Sequence, residues 1–316
     1  MTARRILLTD GLADTGKAIL TSQNIAFDDK KGIDADALLK CIADYDALIV
    51  RGRTKVTPEV FAKANKLKVI GRCGVGVDNI NLDAAKEKGV IVVNAPVSTT
   101  IAVAELTMAL MLAMLREIVK ADAKMKADIW CKNEVKGSEL HGKTLGIIGF
   151  GHIGSTVGIY AKAFGMKVIV YDHNPVTSET QTEKHDNKAV SFDELLQKAD
   201  IITIHVPLTD CTRHMINAQT IAKMKDGVRI ISTARGGVID EEALLQALES
   251  GKVTSVALDV FEKEPPANSP LVKHPKLIAT PHIGGETKEA QQRASADIVN
   301  EVVAALNGEP LHWRVA

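Results

Sequence analysis

The sequence carries no excess of either charge. Its 316 residues hold 39 Lys and Arg against 39 Asp and Glu, so nothing electrostatic draws it to nucleic acid or to an anionic membrane, and neither is expected as a partner. Cysteine is scarce. Cys41, Cys73, Cys131 and Cys211 lie far apart, which argues against a disulfide framework and a cysteine-built metal centre, and favours free thiols in a reducing compartment; no metal is expected. Long apolar runs are also missing. The most apolar segment, residues 106–115, stops at Arg116-Glu117, too short to cross a bilayer as a helix. The N-terminus reads as a first strand, its apolar part being only residues 6–8, and not as a signal peptide. These absences point to a cytoplasmic protein. Neither an internal repeat nor a low-complexity segment stands out.

Against these absences stands one glycine-rich stretch, Gly149-Phe150-Gly151-His152-Ile153-Gly154, between an apolar run at 144–148 and a helix-compatible segment at 155–164. A triplet of this spacing is a weak pattern by itself; its context makes it specific. Gly149 permits a tight turn, Gly151 lets the backbone approach a pyrophosphate, and Gly154 lets the new helix pack closely on the sheet, with its N-terminus facing the phosphates. A β-branched strand at 167–171 follows, ending at Asp172. A carboxylate there accepts both ribose hydroxyls of an adenosine and repels a 2′-phosphate, so NAD is expected over NADP. No arginine follows at 173–175 to reverse that preference.

The length suits two domains. Strand-like runs at 6–8, 47–50, 69–70 and 90–93, separated by helix-compatible stretches, predict a first α/β unit with a parallel sheet. A second series at 144–148, 168–171, 201–205, 229–232, 255–258 and 277–279 makes a complete dinucleotide-binding sheet. Residues 101–119 are apolar on nearly every face and read as one helix buried between domains or subunits. The polar stretch 177–187 reads as a flexible surface loop. A last helix at about 287–307 is expected to pack back on the N-terminal unit. The fold class is therefore α/β with two doubly wound parallel-sheet domains. A Rossmann NAD-binding domain, residues 98–285, is inserted into a discontinuous flavodoxin-like substrate domain, residues 1–97 and 286–316.

Three polar residues follow late strands: Arg235, Glu264 and His282. Each alone has a plain reading, as a surface arginine, a turn glutamate and a loop histidine. Together they are placed to reach the crevice beyond the carboxyl ends of the strands, where ligands sit in open α/β sheets.

The sequence resembles the D-isomer-specific 2-hydroxyacid dehydrogenases over essentially its whole length. The resemblance rests on VIGRCGVGVDN at 69–79, LHGKTLGIIGFGHIG at 140–154, TARGGVID at 233–240, ALDVFEKEPP at 257–266 and TPHIG at 280–284. It implies an NAD-dependent enzyme in which Arg235 holds the substrate carboxylate, His282 is the acid/base, Glu264 is its partner and Asp259 contacts the nicotinamide carboxamide. It also implies cofactor contacts at Gly149, Gly151, His152, Ile153, Gly154, Asp172, His205, Pro207, Thr233, Ala234, His282 and Gly284, and substrate contacts at Gly74, Val75 and Gly76. These are to meet Arg235 and His282 in a cleft between the domains. The residue types suit the chemistry: a protonated imidazole stabilises the oxyanion forming at C2 and delivers its proton, a neighbouring carboxylate favours the imidazolium and fixes its tautomer, and a guanidinium grips a carboxylate with a planar fork.

Within the family the phosphoglycerate dehydrogenases are most similar, through LIVRGRTKVT at 48–57 and ETKEAQ at 286–291. That similarity implies D-3-phosphoglycerate as substrate, a role in serine biosynthesis, and a phosphate pocket built from Arg51 and Arg72 with Lys132 or Lys136 of a neighbouring copy. Departures from the subfamily pattern at Val75, at VSTT over 97–100 and at GGET over 284–287 keep glyoxylate/hydroxypyruvate reductase and D-lactate-type activities open. A homodimer or homotetramer is expected, and serine feedback through an added C-terminal domain is not. A more remote resemblance, to NAD-binding corepressors of the same fold, implies a scaffold instead of an enzyme.

Overall fold

The computed structural model describes residues 4–173 and 187–316; residues 177–186 of the expected surface loop lie outside them. The chain forms two compact units, Met1–Thr99 with Gly285–Ala316, and Thr100–Gly284.

The first unit is built on β1 (Arg5–Leu8), β2 (Ala26–Asp29), β3 (Ala47–Val50), β4 (Val69–Arg72) and β5 (Ile91–Asn94), all parallel, in the order β2-β1-β3-β4-β5. This is the flavodoxin-like doubly wound order. The strands are joined through α1 (Asp14–Ser22), α2 (Ala35–Cys41), α3 (Pro58–Lys63) and α4 (Leu82–Glu87). Strands β1, β3 and β4 read as near-continuous apolar runs because both faces are covered. Leu7, Leu48 and Ile70 join a core with Tyr45 and Phe61, while Ile6, Leu8, Ile49 and Val69 join another with Ile298 and Val302. The second of these cores is completed by the last helix, α11 (Lys288–Asn307), which packs on α1 and β4. Its start is capped by the Thr287 hydroxyl, which accepts from Ala290 N. Gly71 makes the close approach possible: a Cβ there would lie 2.5 Å from Val302 Cγ2 and 2.9 Å from Ile298 Cγ1.

The second unit opens with α5 (Thr100–Leu115) and α6 (Ile118–Lys126). Its sheet holds β6 (Thr144–Ile148), β7 (Lys167–Tyr171), β8 (Lys188–Ala189), β9 (Ile201–Ile204), β10 (Val228–Ser232), β11 (Val253–Leu258) and β12 (Leu277–Ala279), in the order β12-β11-β10-β9-β6-β7-β8. Every pairing is parallel, and the first six strands in chain order follow the Rossmann arrangement. The helices after β6 are α7 (His152–Ala163), α8 (Phe192–Lys198), α9 (Ala218–Ala222) and α10 (Glu241–Glu249). The register gathers the functional segments at one edge. Ile148 pairs with Tyr171 and Ile204, Ser232 with Ile204 and Leu258, and Leu258 with Ala279. The chain therefore leaves these strands at a common level, at 149, 172, 205, 233, 259 and 280.

Three differences from the sequence expectation have physical causes. The apolar segment 101–119 is two helices, because Glu117 turns left-handed at φ 50° and Ser138 N takes the Leu115 carbonyl, at 2.8 Å. Strand β2, Ala-Phe-Asp-Asp, is not expected from the sequence because it is an edge strand paired only with β1 and half polar. Strand β8 is a two-residue edge, too short to carry a pattern.

Candidate active site

The glycine-rich turn is held by what its glycines exclude. At Gly149, with φ 90°, a Cβ would lie 2.8 Å from the His205 carbonyl, and at Gly154 it would lie 2.1 Å from the Gly149 carbonyl oxygen. Gly151 differs, since nothing lies within 4 Å of its Cβ direction. Two glycines thus serve internal packing and the middle one borders open space, as a backbone approached by a pyrophosphate requires. Helix α7 starts at His152, so its first-turn N–H groups, among them those of Ile153 and Gly154, begin at this turn. Asp172 lies against the same turn, its Oδ2 accepting from Phe150 N at 2.7 Å.

His205 follows β9. Burial pushes its pKa down to about 3, so the ring is neutral at physiological pH. Nε2 lies 3.0 Å from Thr203 Oγ1, while the buried Nδ1 has no hydrogen-bond partner. The Pro207 carbonyl accepts from Thr212 Oγ1 at 2.7 Å, and the Thr233 hydroxyl lies 3.0 Å from Thr107 Oγ1. An open glycine turn at a helix N-terminus, a carboxylate one strand away and an orphaned buried imidazole nitrogen are a donor and acceptor set that fits a dinucleotide.

The second cluster lies at the ends of β10, β11 and β12. His282 Nδ1 is 2.8 Å from Glu264 Oε2, and Glu264 Oε1 accepts from Phe261 N at 3.1 Å. Burial of Glu264 opposes ionisation. The hydrogen bond and charge of His282, the Phe261 N–H and the charge of Arg235 outweigh it, and the carboxyl is held below its ordinary value. With Nδ1 directed at the carboxylate, Nε2 is the imidazole atom left for proton exchange. Arg235 bonds the Ala234 carbonyl through Nη1 at 2.7 Å. The histidine backbone is left-handed, φ 55°, a conformation that a non-glycine residue holds only when its surroundings impose it.

Asp259 imposes it. This side chain is 1% exposed, and its Oδ1 accepts from Thr280 Oγ1 at 2.6 Å and Ile283 N at 2.8 Å, while Oδ2 accepts from Gly284 N at 2.8 Å. Asp259 therefore fastens both sides of the loop that presents His282. Thr280 stands in the TPHIG segment read from the sequence, but its hydrogen bond to Asp259 is invisible there, as is the contact between Thr107 and Thr233.

The remaining predicted residues lie in the first unit. The loop after β4 is held from the end of β5, since Asn94 Nδ2 donates to the Val75 carbonyl at 2.7 Å and Ala95 N to the Gly74 carbonyl at 2.9 Å. Gly74 has φ 140°, and a Cβ there would collide with the Arg72 guanidinium. Arg72 Nη1 donates to Cys73 O at 2.9 Å, and its Nη2 lies 3.8 Å from the Cβ direction of Gly52. Arg51 is fixed through its backbone: its N donates to Asp10 Oδ2 at 2.7 Å and its carbonyl accepts from Asn79 Nδ2 at 2.9 Å. Its guanidinium meets Glu286 Oε1 at 2.5 Å. Sequence reasoning gave no role to Asp10 or Asn79; Asp10 follows just after a strand end, and Asn79 closes the 69–79 segment without revealing its bond to Arg51.

Residues 108–284 match the family described as D-isomer specific 2-hydroxyacid dehydrogenase, NAD binding domain. The chain is 47% identical over 308 residues to a D-3-phosphoglycerate dehydrogenase of Bacillus subtilis, covering 97% of this chain and 58% of that protein. It thus spans little more than half the length of that relative. It is 45% identical over 309 residues to a hydroxypyruvate reductase of Thermotoga maritima, covering 97% of this chain and 99% of that protein. The crystal structure of a glyoxylate reductase from Paecilomyes thermophila superposes with a TM-score of 0.88 at 34% identity, covering 100% of this chain and 99% of the other.

Proposed function

Because this chain belongs to the D-isomer specific 2-hydroxyacid dehydrogenase family and carries that family's NAD-binding domain, we propose that it interconverts a small D-2-hydroxy acid and its 2-oxo acid. The observation that carries the reading is the His282–Glu264 pair, 2.8 Å apart, at the sheet edge where the glycine-rich turn also emerges. The Gly149–Gly154 turn and Asp172 would hold NAD, whose nicotinamide would supply or accept the hydride at C2. His282 Nε2 takes the hydroxyl proton in oxidation and returns it to the carbonyl oxygen in reduction. Glu264 keeps the imidazole oriented and stabilises its charged form. Arg235 grips the carboxylate and aligns C2.

Two substrate readings stand. The name of the Bacillus relative, with Arg51 and Arg72, supports oxidation of D-3-phosphoglycerate to 3-phosphohydroxypyruvate, a step of serine biosynthesis. The Arg51–Glu286 pair favours an unphosphorylated acid such as hydroxypyruvate or glyoxylate, in keeping with the names of the Thermotoga and Paecilomyes proteins. NADH oxidation with 3-phosphohydroxypyruvate, hydroxypyruvate, glyoxylate, pyruvate and 2-oxoglutarate, compared by kcat/KM, separates them. Turnover with none of these would leave the scaffold reading.

A homodimer or homotetramer is supported by the apolar side chains that α6 and the segment after it leave in water: Ile118, Val119, Met125, Ile129 and Trp130, the last 76% exposed. Light scattering tests it. Among the described residues no helix is long and apolar enough to cross a membrane; a cytoplasmic location is in keeping with that and with the free cysteines.

A further inference from the structure

We propose that Glu286 is a specificity residue, set to turn this enzyme against phosphorylated acids and toward 2-oxo acids whose C3 substituent is uncharged. The inference rests on the dehydrogenase reading above and concerns which substrate that reaction takes. Arg51 stands just beyond β3, one residue past the Val50 that pairs with the Arg72 ending β4, and both arginines lie at the edge from which Gly74, Val75 and Gly76 also emerge. A phosphate on the substrate would draw on them.

Arg51 does not face that edge as an uncompensated charge. Its Nη2 is 2.5 Å from Glu286 Oε1, and the other oxygen of the same carboxylate accepts from the Gln291 side chain on the first turns of α11. The Arg51 backbone is held on both sides, by Asp10 and Asn79, so the residue is fixed where Glu286 reaches it. Glu286 is placed by its position one residue before the Thr287 cap of α11. Asp10 adds to the same balance: its side chain is 4% exposed and paired with Arg53 at 3.0 Å, so Arg53 does not replace the charge that Glu286 cancels.

The consequence for ligands follows from charge. A phosphate monoester brings roughly −1.5 to −2 at neutral pH. At Arg51 it must either displace a carboxylate already bonded to two donors or sit beside it as a like charge. A hydroxyl or hydrogen at the same carbon meets neither obstacle. As an exposed ion pair the contact adds little to stability; its effect is on which substrate is refused.

The test is the kcat/KM ratio of hydroxypyruvate to 3-phosphohydroxypyruvate, with NADH, for the wild type, Glu286→Ser, Glu286→Gln and Arg51→Ala/Glu286→Ser. The wild type is expected to favour hydroxypyruvate by about 10-fold or more. Glu286→Ser should raise kcat/KM for the phosphorylated acid by about 10-fold, through KM, and leave hydroxypyruvate within about threefold. Glu286→Gln, which keeps the shape and removes the charge, should move the ratio the same way, and the double variant should lose the gain. Circular dichroism and NADH affinity report that the variants are folded. A ratio unchanged by both single substitutions, or a wild type that prefers the phosphorylated acid by 10-fold, overturns the proposal while the dehydrogenase reading stands. A wild type that reduces no 2-oxo acid overturns both.

Discussion

His282 and Glu264 are joined through a single imidazole nitrogen, Nδ1, 2.8 Å from Oε2 of the carboxylate. The pair is linked through the carboxylate: burial opposes ionisation of Glu264, but the hydrogen bond and charge of His282, helped by the Phe261 N–H and the charge of Arg235, hold its carboxyl below its ordinary value.

Replacing Glu264 by Gln therefore has a definite sign. Reduction needs the imidazolium, which Glu264, ionised through the neutral range, stabilises. Without that anion Nδ1 keeps a hydrogen-bond partner but loses the countercharge 2.8 Å away, so kcat for 2-oxo acid reduction should fall by about 10-fold with KM for the acid little changed. Steady-state kinetics measures this, and an unchanged kcat would contradict the pairing.

His282→Ala and Arg235→Lys should fail in different ways. The first removes proton transfer and oxyanion stabilisation and lowers kcat by about 10²-fold or more. The second keeps the charge but not the planar fork, and mainly raises KM for the 2-oxo acid. Steady-state kinetics with the best acid of the panel distinguishes them; a matching change in both parameters for both variants would defeat the assignment.

Much of this was legible in the sequence, and the failures are local. The runs in β1, β3 and β4 could be read because both faces of a parallel sheet are buried, and Gly149, Gly151 and Gly154 because their spacing sits between a strand and a helix. The edge strands β2 and β8 lacked that signal: Asp28 and Asp29 sit where a central strand would be apolar. The pairing of Arg51 with Glu286 spans 235 positions of chain and exists only because α11 returns to the first sheet. The Thr280 hydroxyl on Asp259 is hidden in the same way, since a threonine before a proline announces a turn and not a partner.

Asp259→Ala should destabilise the second unit. It would leave three donors, Thr280 Oγ1, Ile283 N and Gly284 N, without the acceptor that a buried carboxylate now provides. Only the Gly284 N–H among them is buried, so at about 1–3 kcal/mol for an unsatisfied buried group a loss of roughly 1–3 kcal/mol is expected. Chemical denaturation monitors it, and a midpoint equal to that of the wild type would show that the loop does not depend on this anchor.

Asp172→Ala should narrow the preference for NAD over NADP. The carboxylate bonds the Phe150 N–H of the glycine-rich turn, so its removal weakens NAD binding through both the ribose and the turn, and also removes the repulsion of a 2′-phosphate. Fluorescence titration with both reduced cofactors is sufficient, with a change in the affinity ratio of about 10-fold expected. An unaltered ratio would place the ribose elsewhere.

The seating of Ile298 and Val302 on Gly71 also sets a timetable for biosynthesis. Residues 1–99 leave the ribosome as a sheet that lacks the cover for Ile6, Leu8, Ile49 and Val69, and that cover is encoded at residues 288–307. Some 190 residues of translation intervene, about 10–40 s at roughly 5–20 residues per second. Throughout that interval the first sheet lacks the helix that covers Ile6, Leu8, Ile49 and Val69, and the inserted unit is itself complete only at residue 284, just before that helix begins.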